Sequence, residues 1–374
     1  MFYIANTKMP NEKAFSIHMV KMCEAFSKNG AKVTFVVPIT RKRIKDDPYD
    51  YYGIKRIFDI ERVPSIDLVG IVPRFGYWLQ YLSFVCFVTL RFLFMPRKHA
   101  LIYTREFLIA YVFKTLRFKT VYESHRILLK KRLYFWFLKD IKWIITNSIG
   151  VAEEFKNRGY KQVLSYPNGV TLENFTFSSS KNELREKLHL PLDRSLIMYT
   201  GNLYSWKGID TVIETAKTMK QTRALFMIVG GTDADVKSYR QKIANKNIIN
   251  VLLLGHQNIK DIPKYLKAAD VLILPNVPTS EESIKYTSPM KLFDYMASGV
   301  PIVASDLPSI REILDETNAL LVSPGSHERL REGIEKVLNN PALSANIAGE
   351  ARKKVSQFTW DKRAEAILNF IKYE

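Results

Sequence analysis

Two stretches of this 374-residue chain combine residue types and spacings that suit the capture of a pyrophosphate. The first is "TGNLYSWKGIDTVIE" (200–214). A strand pattern ends at Gly201, a loop carries Asn202, Lys207 and Gly208, and a helical pattern follows. Glycine lets backbone N–H groups approach a ligand closely, and a lysine beside a helix N-terminus adds a point charge to the helix dipole. The stretch is not a Walker A loop, because GxxxxGK(S/T) is absent. An ordinary strand-to-helix turn with a solvated lysine would read the same way. The second stretch is "YTSPMKLFDYMASGVPIVASD" (286–306). Ser288 suits a helix N-cap and Pro289 suits the first turn. An anion at that helix mouth gains free N–H groups and the dipole. Lys291 is a second cation at the same end. Asp294 lies about one and a half turns further in, where a carboxylate can hold two ribose hydroxyls. A plain surface carboxylate is the alternative.

These residues need a scaffold, and the chain supplies one. Short apolar runs alternate with amphipathic helical patterns almost throughout. They read as strands at 31–37, 101–104, 119–124, 143–148, 196–201, 225–231, 251–255, 271–275, 301–305 and 319–323. Such alternation predicts an α/β chain with two doubly wound parallel sheets flanked by helices. The polar stretch "TFSSSKNELREKL" (176–188) marks a boundary between a domain at 1–175 and one at 176–357. Residues 358–374 read as an amphipathic helix with Trp360, Ala364, Ile367, Leu368 and Ile371 on one face. Ligands of open parallel sheets bind beyond the carboxyl ends of the strands. That rule brings in Arg105 of "YTRE", and Glu123 and His125 of "VYESH". On its own, a histidine after a strand is more often structural than functional.

The net charge is +19, from 56 Lys+Arg against 37 Asp+Glu. Residues 1–175 hold 29 against 14, so the basic excess sits in the first half and implies an anionic partner. Charge alone allows nucleic acid, but no recognisable nucleic-acid module is present, so no specific nucleic acid is expected. The apolar stretch 77–95 admits three readings: a buried or half-buried helix, a helix in a membrane interface, or a span. "KTLRFK" (114–119) and "RILLKKRLYFWFLKDIKW" (126–143) also interleave cations with apolar and aromatic residues, which suits an anionic membrane surface. The two cysteines, Cys23 and Cys86, have no redox or metal spacing. With no secretory signal pattern at the start, the expected location is the cytoplasm, peripheral on the inner face of the cell membrane.

The quoted motifs resemble those of GT-B glycosyltransferases of family GT4, glycosyl transferases group 1. "GNLYSWKGIDTVIE" resembles the family's "GR-L-x-x-x-K-G-x-D-x-L-I-E", and "LFDYMASGVPIVASD" resembles "L-E-A-M-A-C-G-x-P-V-V-A-S". "LGHQNIKDIPKYLKAADVLILPN" (254–276) resembles the stretch that precedes the second motif. The opening "IANTKMPNEKAFSIHMVKMCEAFSKNGAKVTFVVP" and "NSIGVAEEFKNRGY" agree, and His125 stands where the family carries a histidine. The resemblance implies two Rossmann-like domains facing across a cleft, the first for the acceptor and the second for a nucleotide-sugar. It implies a C-terminal helix packed back on the first domain. The implied enzyme is a retaining, metal-independent hexosyltransferase-type glycosyltransferase with no cofactor. Its donor would be a UDP-, GDP-, ADP- or dTDP-sugar, and its acceptor lipid-linked or a polysaccharide or cell-surface glycan precursor.

Residue by residue, the resemblance gives Lys207 the donor diphosphate, helped by the glycines at 201 and 208. It gives Asp294 the ribose. His125 would face the donor from the other domain and touch the sugar or the leaving phosphate. The backbone over Ser288, Pro289, Met290 and Lys291 would cover the donor, and Gly255 and His256 would lie near the base. Two departures stand out. The arginine that usually follows the first glycine is Asn202, and the first carboxylate of the family's E-x7-E motif is Tyr286. Glu281 or Glu282, or else Ser288 with backbone N–H groups, are the available substitutes. His18, on the first helix, is a further candidate beside Arg105 and Glu123. No metal is expected, since no His, Cys and carboxylate cluster has metal-ligand spacing. Two rivals remain: a GT-B-fold sugar-nucleotide epimerase, and a catalytically degenerate donor-binding subunit.

Overall fold

The alternating patterns become two parallel sheets in a computed structural model that describes residues 1–41, 44–128 and 131–372. The first sheet contains β1 (Phe2–Ile4), β2 (Thr34–Pro38), β3 (Asp59–Val63), β4 (Leu101–Thr104), β5 (Lys119–Ser124), β6 (Trp143–Thr146) and β7 (Gln162–Ser165), in the order β3-β2-β1-β4-β5-β6-β7. The second contains β8 (Ser195–Thr200), β9 (Ala224–Val229), β10 (Val251–Gly255), β11 (Val271–Leu274), β12 (Ile302–Ser305) and β13 (Leu320–Val322), in the order β10-β9-β8-β11-β12-β13. In each sheet the order reverses once, between β1 and β4 and between β8 and β11. Those reversals are the switch points at which such sheets bind ligands.

The second sheet shows why its strands are apolar without interruption. Along β8, Leu196 and Met198 pack into one core layer while Ile197 and Tyr199 pack into the layer opposite. Along β9, Met227 and Phe226 do the same. A sheet covered on both faces has no solvent face to be polar. Each fully buried large side chain contributes roughly 1.5–3 kcal/mol.

The chain divides into residues 1–167 with the C-terminal helix Trp360–Lys372, and residues 168–359. The sequence places the first boundary at 175/176; the structure places it eight residues earlier. Val170 donates its N–H to the Phe358 carbonyl at 3.0 Å and bridges to Thr359, which ties the segment after 167 to the second unit. The polar stretch at 176–188 therefore lies within the second unit. There it forms the helix Lys181–Lys187, started by a reciprocal Ser180–Glu183 capping box. In the first unit the C-terminal helix packs on the helix Ala14–Lys28. Asn29 donates to the Asp361 carbonyl at 3.2 Å and Lys119 to that of Ile371 at 3.0 Å.

The stretch 77–95 lies largely in the helix Pro73–Phe92, which is two-faced. Gly76, Gln80, Tyr81, Phe84, Val85, Val88 and Phe92 are buried. Phe75, Trp78, Leu82 and Leu90 recur at helical spacing on the exposed side. No helix among the described residues is long and apolar enough to cross a membrane. Part of the second basic stretch forms the helix Lys131–Leu138; residues 129 and 130 lie outside the described residues.

Candidate functional site

The second unit assembles its candidate residues at the β8/β11 switch point. β8 runs into Gly201, whose φ of +120° only glycine adopts easily. The loop is shaped from below: the Tyr199 hydroxyl donates to the Asn202 carbonyl at 2.6 Å. Lys207 ends a short 3₁₀ turn, Ser205–Lys207, and Gly208 at φ +77° opens the helix Ile209–Thr218. A Cβ on Gly208 would lie 1.8 Å from the Pro275 carbonyl oxygen, so the close approach of β8 and β11 loops demands glycine there. From β11 the chain passes through the short helix Glu281–Lys285 to the helix Met290–Ser298. That helix is pinned to β8, because the Tyr295 hydroxyl accepts the Thr200 N–H at 2.8 Å.

The helix mouth differs from expectation in one respect. Ser288 does not cap it. Its hydroxyl accepts the Asn168 N–H at 3.2 Å, and its carbonyl accepts from the Asn168 side chain at 2.6 Å. Pro289 occupies the cap position, and no side chain caps the helix. Its first N–H groups therefore lack the usual side-chain acceptor.

Two lysines lie close enough at this switch point for the charge of one to act on the other. Lys207 Nζ sits 3.6 Å from the centroid of the Trp206 ring, and Lys291 Nζ 3.6 Å from that of Tyr199. Burial pulls Lys207 down to about 7, against an opposing pull from Glu282. Burial, and then the like charge of Lys207, hold Lys291 far below the ordinary lysine range. Lys291 Nζ is sealed from solvent and has no hydrogen-bond partner. Asp294, half-buried, stands three residues after Lys291 on the same side of the helix. Tyr286 is packed into the protein at 5% exposure, so nothing at that position can act as a carboxylate would. Glu281 and Glu282 are exposed in the first turn of their helix, and Glu282 is the acid whose charge reaches Lys207. Gly255 ends β10, and His256 beside it is exposed.

The first unit gathers another set near the β1/β4 switch point. Glu123, near the end of β5, is fully buried, although the sequence sets it among groups open to ligand. It accepts from the Tyr103 hydroxyl at 2.8 Å and from His125 Nε2 at 2.7 Å, and it pairs with Arg363 of the C-terminal helix. His18 Nε2 lies 3.3 Å from the same carboxylate, and its ring meets that of His125 edge-on at 4.6 Å. Burial would raise the Glu123 carboxyl, but His18, Arg363 and His125 together hold it well below the usual range. Burial brings His18 down to about 4, and burial with Arg105 keeps His125 neutral. Only His125 keeps an exposed edge, 14% of its side chain. With Nε2 donating to Glu123, its Nδ1 is left as an acceptor. Arg105 has one buried guanidinium nitrogen, Nη1, without a hydrogen-bond partner.

His18, Glu123 and His125 offer ligand atoms within 4.8 Å of one another. Sequence spacing could not show this trio, because it joins a helix near the start of the chain to β5. Arg363 already holds the carboxylate, and its fixed positive charge opposes a cation there. Arg363 also donates to the carbonyls of Tyr166 and Pro167, so the C-terminal helix is riveted to the end of the first unit. No single-sequence signal marks Arg363 or Tyr103 as part of this cluster.

Comparison with solved structures places the architecture. Sucrose-phosphate synthase from Thermosynechococcus elongatus superposes with a TM-score of 0.79 at 19% identity, covering 99% of this chain and 98% of that one. Anabaena HepE in complex with UDP-glucose gives 0.77 at 18% identity, covering 100% and 99%. The fold is the GT-B fold. Residues 180–354 match the family model described as glycosyl transferases group 1. The putative teichuronic acid biosynthesis glycosyltransferase TuaC of Bacillus subtilis is 26% identical over 203 residues, 54% of this chain and 48% of TuaC. The chain spans about half the length of the curated relatives it matches. Over residues 180–354, most of its second unit, the chain is similar to the glycosyl transferases group 1 family.

Proposed function

We propose that the protein is a retaining glycosyltransferase that moves a sugar from a nucleotide-diphospho-sugar to an acceptor. One observation carries this reading: at the β8/β11 switch point the sealed ammonium of Lys291 lies against Gly201 within reach of the charge of the half-buried Lys207, beside an uncapped helix start, with Asp294 one turn beyond. The positive site suits a diphosphate, and Asp294 suits a ribose. Departure of a nucleoside diphosphate builds negative charge, and fixed cations and N–H groups aimed at that charge lower the barrier. In the first unit, His125, held by Glu123, keeps Nδ1 as an acceptor for a ligand hydroxyl, and the leaving phosphate would take the acceptor proton. No metal is needed, since lysines balance the phosphates and Arg363 occupies the one His–carboxylate cluster found among the described residues.

The acceptor we infer is a lipid-linked or polysaccharide precursor presented at an anionic membrane. The exposed apolar stripe of the helix Pro73–Phe92, flanked by Arg74, Arg91, Arg97 and Lys98, supports this, as does the teichuronic acid biosynthesis in TuaC's name. A purified-enzyme assay tests the reaction. Nucleoside diphosphate should appear only when donor and an acceptor glycolipid fraction are both present. Conversion of the donor sugar without acceptor would instead establish an epimerase. A wild-type protein that binds donor but turns over with no acceptor would be the degenerate subunit that Asn202 and Tyr286 raise as a rival.

A further inference from the structure

The resemblance to that family implies a second diphosphate cation, an arginine next to the first glycine of the β8 loop, and here that residue is the exposed Asn202. Lys291 arrives at the same glycine from the other side. A Cβ built on Gly201 would lie 2.8 Å from Lys291 Nζ, so the ammonium occupies the space that a side chain at 201 would take. It is sealed, it lies against an aromatic face, and it has no acceptor. Tyr199 and Tyr295 are held in the neutral phenol form by burial. Glu282 acts on Lys207 but is exposed, and the charge acting on Lys291 is that of Lys207. Asp294, on the same helix, registers on Tyr295.

A sealed ammonium beside the half-buried one of Lys207 does not keep its charge without a counter-anion. We propose that Lys291 stands in for the absent arginine, and that the two lysines take up protons together as the diphosphate of a nucleotide-sugar enters. This rests on the donor reading above. An arginine would stay charged throughout, so the lysine makes donor capture a proton-linked event. The donor supplies the missing counter-charge, and the charged forms then become the stable ones.

Isothermal titration calorimetry at pH 7.5, in buffers of different ionisation enthalpy, measures the protons taken up. The probes are UDP-glucose, GDP-mannose, ADP-glucose and dTDP-glucose, whose diphosphate diesters do not titrate near neutrality. The favoured probe should bring in roughly one proton or more per site. Lys291→Met should lose most of that uptake and bind roughly tenfold or more weakly. The variant's ligand-free melting temperature should match or exceed that of wild type, because it removes an unpaired buried ammonium. Binding without net uptake, or uptake unchanged in Lys291→Met, would overturn this inference and leave the donor reading intact. Binding of none of the four probes would overturn both.

Discussion

Lys291 Nζ lies 3.6 Å from the centroid of the Tyr199 ring, on a helix that Tyr295 ties to the next residue of the same strand through Thr200. The strand β8 and the helix Met290–Ser298 thus position the cation jointly. Change at either should alter donor capture without touching the first unit.

Removal of Lys207 should be costly in the transition state. Lys207→Ala is expected to lower kcat/KM for donor by about 10²–10³, the range for losing one preorganised electrostatic contact. Asp294→Asn should raise donor KM more than it lowers kcat, since a ribose contact is made equally in ground and transition states. Steady-state kinetics on both variants separates the two effects. An equal split in the two variants would remove the distinct roles.

The pH dependence has a fixed sign. Lys207 titrates at about 7 in the unliganded protein, and only its charged form attracts a diphosphate. kcat/KM for donor should therefore fall as pH rises above 7. Stability runs the other way: the unfolded chain holds the lysine proton up to its ordinary pKa, near 10.4. Between pH 7 and that value the unfolded state binds more protons, so the folded state gains stability as pH rises. The melting-temperature advantage of Lys207→Met over wild type should narrow across that window.

Arg363 and Glu123 form a fully buried pair. Arg363→Leu strands a buried carboxylate together with the hydroxyl and imidazole groups that point at it. It should cost about 3–5 kcal/mol in denaturant unfolding. A loss under 1 kcal/mol would show that the pair does not hold the C-terminal helix to the first unit.

The exposed stripe of the helix Pro73–Phe92 gives a direct membrane test. Full-length protein should float with liposomes containing anionic lipid at low salt and release as salt rises. The double variant Trp78→Glu, Leu82→Glu should not float, while its melting temperature stays near wild type because both side chains are exposed. Absence of wild-type binding at low salt would sink the membrane proposal.

Much of this architecture is legible in the residues. β4, β5 and β10 have the bounds their apolar runs predict, and the five apolar residues expected on one face of the last helix are all buried. β3, "DIERV", and β7, "QVLS", escape the sequence because they are edge strands, half-exposed and mixed in character. Lys291 can be placed at a helix start from sequence, but its burial depends on Tyr199 and Gly201, about ninety residues away. The Glu123 cluster draws on four separated segments and so leaves no spacing to read. Ser288 looks like a cap because its residue type suits one; a backbone N–H from Asn168 competes for its hydroxyl and wins.

The central claim is that the second unit grips a nucleotide-sugar by its diphosphate. The most direct measurement is the melting temperature of the full chain with saturating UDP-, GDP-, ADP- or dTDP-sugar, in wild type and in Lys207→Ala. One donor should raise the wild-type transition by several degrees through preferential binding to the folded state, with little or no rise in the variant. No shift with any donor, or an equal shift in both proteins, would contradict the account.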